Sequence, residues 1–383
     1  MVYWICVLLL GFGAEVFAET GLPMGDWIGH GYTEEQRDEL RSVIQAGIDE
    51  KFVPGTAILL IHKGEVVFRE AFGLADLDTG RRVEVDDVFF IASLTKPFTS
   101  TMMAILADKN IISLGDTVDK YLPDFGNLQI RDLGPAESAP TIRQCLSHTA
   151  GFPGNNAMQA GNFSVYMDGS LAETVSDLAS KELWGEPGTL HAYTRLGYMT
   201  SARVVEVVEN KPFEEVMQAM LLDPIGAAHT TFHPSEEIIA GMVKPYVRTE
   251  DGFKLRVGGP MGRVINPGGG LYSTLDDVGR MLLLHRNQGK VNGQQIVSAE
   301  ALQEQYVSQP STPRTGYGLG FNTLKVGPDG KGFRLQHIGG SGTLAWMDLK
   351  EDLLFVMLTQ VPTGMMVKYR NRITRKIGEI FVN

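Results

Sequence analysis

Apolar positions recur along this chain with two periods, and the period changes from one stretch to the next. Behind Thr33-Glu34-Glu35, the residues Leu40, Val43, Ile44 and Ile48 fall three or four apart. That spacing predicts a helix ending near Lys51 and docked by one face on a packed layer. Thr56 to His62 and Glu65 to Phe72 are instead nearly continuous apolar runs parted by Lys63-Gly64. They read as two strands of an antiparallel hairpin, with glycine supplying the positive φ of a tight turn. Helical spacing returns at Phe98, Met102, Ile105 and Leu106, which predicts an amphipathic helix with Ser93 at its N-terminal edge. Pro97 is compatible with it, because first-turn amides have no intrahelical acceptor to lose.

From about Ile111 to Gln309 short helical patterns alternate with loops rich in Gly, Pro and Asn, among them 151–161 and 258–270. Ser273-Thr274-Leu275-Asp276-Asp277 is an N-cap signal before Val278, Met281, Leu282 and Leu283. Pro267-Gly268-Gly269-Gly270 lacks the lysine and the preceding strand of a phosphate-cradling loop, so it reads as a turn. Strand patterns resume over Tyr317 to Leu324, Phe333 to His337, Thr343 to Leu349 and Leu353 to Thr359, before a closing helix from Val367 to Phe381. The prediction is an α/β (α+β) chain. Residues 19–110 and 310–383 build one antiparallel sheet flanked by helices, and 111–309 form a mostly helical insertion.

With 43% hydrophobic and 21% charged residues in 383, the composition is that of an ordinary globular protein. Met1–Ala18 holds an apolar stretch from Val2 to Phe12 and ends in Val16-Phe17-Ala18. This predicts a signal peptide cleaved after Ala18, hence an exported protein, periplasmic or secreted, not held in the membrane after cleavage. The formal charge of −11 becomes −10 on loss of Glu15, which argues against nucleic acid and anionic membranes as partners. Cys6 leaves with the same segment, so Cys145 has no partner for an internal disulfide. Its neighbours in Thr141 to His148 suit a buried small hydrophobe.

Ser93 is the one serine followed by a lysine three residues later, Lys96, and it lies where an apolar run meets a helix start. A helix places i and i+3 on one face, and a serine hydroxyl needs such a neighbouring base to act as a nucleophile. There is no Gly-x-Ser-x-Gly, no His-Glu-x-x-His and no cysteine pair for zinc, so neither metal nor cofactor is expected.

Further partners come from His191-Ala192-Tyr193-Thr194-Arg195 and Gln336-His337-Ile338-Gly339-Gly340. Ser-x-x-Lys, a later tyrosine motif and a late His-x-Gly together resemble the penicillin-recognising serine hydrolases: class C β-lactamases, DD-peptidases and their esterase relatives. Ser113-Leu114-Gly115-Asp116, Leu146-Ser147-His148-Thr149-Ala150-Gly151 and Gly269 to Thr274 extend the likeness over nearly all of the chain after Ala18. Gly342-Thr343, Trp346-Met347-Asp348 and Met357 to Gln360 are most similar to the β-lactamase-like carboxylesterases.

The resemblance implies a β-lactamase/transpeptidase-like fold, with Ser93 as the acylated nucleophile. Lys96 would be its proton acceptor, or the cation that lowers a neighbour's pKa, and Tyr193 the second basic group. It implies an oxyanion site of the Ser93 and Gly340 amides, beside Gly339. His337 would stand where β-lactamases usually carry lysine, as a carboxylate-binding cation. His148 is expected to be loop structure. Arg195 replaces the Asn frequent in β-lactamases and peptidases, which weakens those readings and favours a simple ester over a peptide-like substrate. Arg195 is expected either to point into the cleft and select anionic acyl or leaving groups, or to make a surface ion pair. The alternatives are a D-alanyl-D-alanine carboxypeptidase, a class C-like β-lactamase, and a penicillin-sensor-like protein that is acylated without turnover.

Overall fold

Thr33 caps helix α1 (Glu34–Asp49). Its hydroxyl oxygen accepts from the Gln36 amide while the Gln36 side chain accepts from the Thr33 amide, satisfying two donors that a helix start leaves open. Strands β1 (Gly55–His62) and β2 (Glu65–Gly73) then form the expected hairpin. Lys63 and Gly64 have φ of 53° and 86°, the double left-handed pair of a two-residue turn that suits strand twist. This computed structural model describes residues 21–256, 264–312 and 316–382. The expected signal segment Met1–Ala18 and residues 258–263 of the glycine-rich stretch lie outside them.

The remaining elements that frame the site are α2 (Thr95–Asp108), α3 (Leu196–Glu209) and α4 (Leu275–Arg286). They are followed by β3 (Asn322–Val326), β4 (Gly332–Ile338), β5 (Leu344–Asp348), β6 (Leu353–Leu358) and α5 (Val367–Phe381). The six strands make one antiparallel sheet in the order β3-β4-β5-β6-β1-β2. Ala57 of β1 faces Leu358 of β6, so strands from opposite ends of the chain meet at the centre.

Both faces of the sheet are covered, which explains why its central strands are apolar without alternation. Ala57, Leu59 and Ile61 join the core under α2 and α4, while Ile58 and Leu60 join a second core with Leu40 and Ile44 of α1 and Tyr369, Ile373 and Ile377 of α5. β6 divides the same way: Leu354, Val356 and Leu358 on one side, Leu353, Phe355 and Met357 on the other. Each such large side chain, fully buried, contributes about 1.5–3 kcal/mol.

Three details depart from expectation. The strand predicted from Tyr317 starts at Asn322, because Gly318 donates to the Phe321 carbonyl and turns the chain first. Helix α2 is buried on every side from Thr95 to Leu106, not on one face, since it lies between the sheet and the 111–309 segment. Within that segment α4 rests on the sheet, with Gly279 close against Leu59 and Ile61 and Asp276 paired to Arg69 at 2.8 Å. Among the described residues no helix is long and apolar enough to cross a membrane.

His285 of α4 is buried between Tyr306, 2.8 Å away, and Thr101, 3.0 Å away, and burial pushes its pKa down to about 3. The unfolded chain binds this proton near pH 6.5, so the stabilisation is complete above that pH and is lost as pH falls toward 3. The His285→Gln variant should therefore show a stability–pH slope between pH 6 and 4 shallower than wild type by about 1.4 kcal/mol per pH unit. Urea unfolding at three pH values measures it; parallel slopes would show that the ring is protonated in the fold.

Candidate active site

Ser93 enters the site on a strained turn. Ala92, just before it, has φ of 48°, a left-handed conformation that costs a non-glycine residue about 1–2 kcal/mol. Contacts from distant segments hold the turn there. Thr343 and Ser341 donate from their hydroxyls to the carbonyls of Ile91 and Phe90 at 3.0 and 2.8 Å, and the Gln360 amide donates to Phe90 at 2.9 Å. The C-terminal strands thus clamp the nucleophile's turn against the end of β4.

At that end Gly339 must be glycine, since a Cβ would lie 2.5 Å from the Ile91 carbonyl oxygen and 2.0 Å from Thr343 Oγ1. Its N–H is spent on the Thr343 carbonyl, so it is a packing residue and not a donor to substrate. Gly340, exposed and lining the cleft, is different: among the described residues neither its N–H nor that of Ser93 is given to another protein group.

Lys96 lies one turn beyond Ser93 and is 1% exposed. Its ammonium donates to Ser93 Oγ at 3.2 Å and to the Gly268 carbonyl at 2.5 Å. The Pro267–Gly270 turn is thereby an acceptor for lysine. It is fastened to α2 by Thr99 Oγ1 donating to Pro267 O at 2.6 Å and by the Leu271 amide donating to Thr95 Oγ1 at 3.1 Å. The Tyr193 ring stands 4.7 Å from Lys96 Nζ, so the fold brings the three residues together.

Behind Tyr193 runs a buried chain that the sequence did not announce. The Thr194 amide donates to His148 Nδ1 at 3.2 Å, which leaves the proton of a neutral His148 on Nε2. From there the chain passes to Tyr317 Oη at 3.2 Å, on to His337 Nε2 at 3.2 Å, and from His337 Nδ1 to the Ile338 carbonyl at 3.1 Å. Every member is a satisfied neutral donor and acceptor. Burial, reinforced by the charge of Lys96, pushes His337 down to about 3 and His148 well below its usual value, while burial pushes the Tyr317 phenol up. This corrects His337: it is 2% exposed and neutral, so it cannot serve as a carboxylate-binding cation. His148, expected as loop structure, packs its ring 4.3 Å from that of Tyr193. Only the Tyr317-Gly318-Leu319-Gly320 turn and the Leu146–Gly151 phrase could have hinted at the chain, and neither says which groups meet.

The cleft holds about 500 Å³ and is lined by Ser93, Lys96, Gly340, Gly268 and Arg195, together with the apolar Met158, Phe163, Val165 and Met167. Arg195 is half-buried, and burial pulls its pKa below the ordinary guanidinium value. Cys145 is buried, with burial raising its thiol pKa, as suits a core residue.

Comparison with known proteins agrees with this architecture. The beta-lactamase family model matches residues 40–379. The esterase EstB of Burkholderia gladioli is 27% identical over 339 residues, covering 80% of this chain and 83% of its own. Protein Rv1367c of Mycobacterium tuberculosis is 26% identical over 367 residues, covering 84% and 88%. Among solved structures, EstCE1, described as a hydrolase with promiscuous acyltransferase activity, superposes with a TM-score of 0.76 at 21% identity over 90% of this chain and 98% of its own, a likeness of fold. An antiparallel sheet between helical layers, a family match across most of the length and relatives aligned nearly end to end converge on one conclusion: the chain belongs to the beta-lactamase family.

Proposed function

We propose that this protein is an exported serine hydrolase that cleaves carboxylic esters through an acyl-enzyme on Ser93. The observation that carries the reading is the 3.2 Å contact of Ser93 Oγ with a lysine sequestered from water, on the wall of an open cleft. Ser93 Oγ bonds to the ester carbonyl carbon and gives its proton to the Lys96–Tyr193 pair. The carbonyl oxygen, now negative, accepts from the free amides of Ser93 and Gly340. The C–O bond to the alcohol then breaks, the alcohol leaves with the proton, and a water molecule repeats the sequence on the acyl-enzyme.

The relative EstB, an esterase, supports an ester as the substrate class. Replacement of the Asn position by Arg195, and a neutral His337, both disfavour β-lactam and peptide substrates. Export rests on the Met1–Ala18 pattern.

The test is a panel of short-chain aryl esters, a chromogenic cephalosporin and a D-Ala-D-Ala peptide, with intact-mass analysis of the purified protein. Ester turnover should exceed the other two by at least about 100-fold, with an acyl adduct mapping to Ser93 and a chain beginning at Glu19. Preferred cleavage of the cephalosporin or the peptide would replace the ester assignment. A stoichiometric adduct without turnover would make the protein an acylated sensor.

A further inference from the structure

The cleft is electrostatically one-sided. Lys96 and Arg195 are the only charged residues among the described residues that line it, with no carboxylate opposite them, in a chain of net charge −11. The two cations are not in the same situation. Lys96 has its hydrogen bonds, to Ser93 and Gly268. Among the described residues the Arg195 side chain makes no hydrogen bond or ion pair, and its buried Nε has no partner. Arg195 lines the cleft and makes no ion pair among the described residues, which favours a role in the cleft over a surface ion pair.

Its position adds to the cost. Arg195 occupies the N-cap of α3, a 14-residue helix with no acidic residue in its first turn. The positive end of a helix dipole disfavours a cation, so Arg195 is held half-buried, unpaired and on the wrong end of a helix. Its backbone is fixed there by donation from its N–H to Asn155 Oδ1 at 3.1 Å. The lack of a partner and the unfavourable helix end are both relieved by one event, the arrival of an anion that the guanidinium fork and the helix end both favour. In the same lining, Met158, Phe163, Val165 and Met167 offer apolar surface and no charge.

We propose that the substrate is an amphiphilic ester bearing a carboxylate, with the carboxylate paired to Arg195 and an alkyl or aryl portion against the Met158–Met167 surface. This rests on the assignment of Ser93 as the acylated nucleophile. A planar carboxylate fits the guanidinium in a bidentate pair, whereas a neutral ester would leave Arg195 as unsatisfied as it is in the free protein.

Two matched pairs of esters test it on the full-length mature protein. In one the charge is on the acyl chain (4-nitrophenyl hydrogen adipate against its methyl ester); in the other it is on the alcohol (4-butanoyloxybenzoate against its methyl ester). In at least one pair the charged ester should have a kcat/KM ten-fold or more above its neutral partner, mostly through KM. Arg195→Gln should bring that ratio to about one, and Arg195→Lys should leave it in between, since charge without the fork recovers part of the pairing. As a check that needs no variant to fold, hexanoate should inhibit neutral-ester hydrolysis by the wild type at least ten times better than hexanamide. Equal rates within both pairs, a preference that survives Arg195→Gln, or equal inhibition by hexanoate and hexanamide would overturn the proposal. Failure to cleave any of the four esters would instead overturn the Ser93 ester-hydrolase reading on which it stands.

Discussion

Ser93→Ala should lose ester turnover by about 10⁴-fold or more in kcat, because it removes the atom to which the acyl group would be joined. Residual rate would come only from binding and from the two amides at Ser93 and Gly340, which survive the substitution. Stability should change by less than about 1 kcal/mol, since the side chain is small and half-buried and its one hydrogen bond is to a lysine with a second acceptor. Kinetics on a short-chain aryl ester, with a melting curve on the same sample, separate loss of chemistry from loss of fold. Ser164 also lines the cleft and is the natural rival nucleophile. A Ser93→Ala protein that keeps wild-type turnover would transfer the role to it.

Lys96→Met should lower kcat by about 10²–10⁴-fold, the range in which a positioned acid–base group contributes. Methionine fills much of the same apolar space, but the Gly268 carbonyl is left without its donor, at about 1–3 kcal/mol in stability. The substitution carries a second signature. The charge of Lys96 is one of the influences that lower His148 and His337, so both imidazole pKa values should rise in the variant while burial keeps them below the ordinary range. Histidine NMR titration reads this independently of activity. A variant that turns over ester near the wild-type rate would remove Lys96 from the chemistry. One that is inactive with unmoved histidines would mean that the ammonium is not where the structure places it.

Much of the frame was legible because it is written in local periodicity. Continuous apolar runs gave β1, β2 and the last strands, since strands buried on both faces need no polar side. The helix start at Thr33, the turn at Lys63-Gly64 and the closing helix Val367–Phe381 are local patterns too, and they stand where expected. Helix α2 was misjudged as one-sided because its polar residues, Thr95, Thr99, Ser100 and Thr101, find partners inside the protein, and composition does not distinguish a solvated threonine from a bonded one.

The sequence by itself determined which residues were available for chemistry: a serine with a lysine one turn on, a tyrosine and an arginine in one motif, and a glycine pair after a late strand. Their roles depended on burial and on contacts across more than a hundred residues, and only the tertiary structure decided those. A histidine in a lysine's place was read as a cation, but burial at 2% exposure, reinforced by Lys96, pushes its pKa down to about 3. An arginine in an asparagine's place could have been a surface ion pair, but among the described residues no carboxylate lines the cleft beside it and its buried Nε has no hydrogen-bond partner. Charge state and solvation belong to the environment of a group, and environment is assembled only when segments as far apart as Ile91 and Thr343 are brought into hydrogen-bond contact.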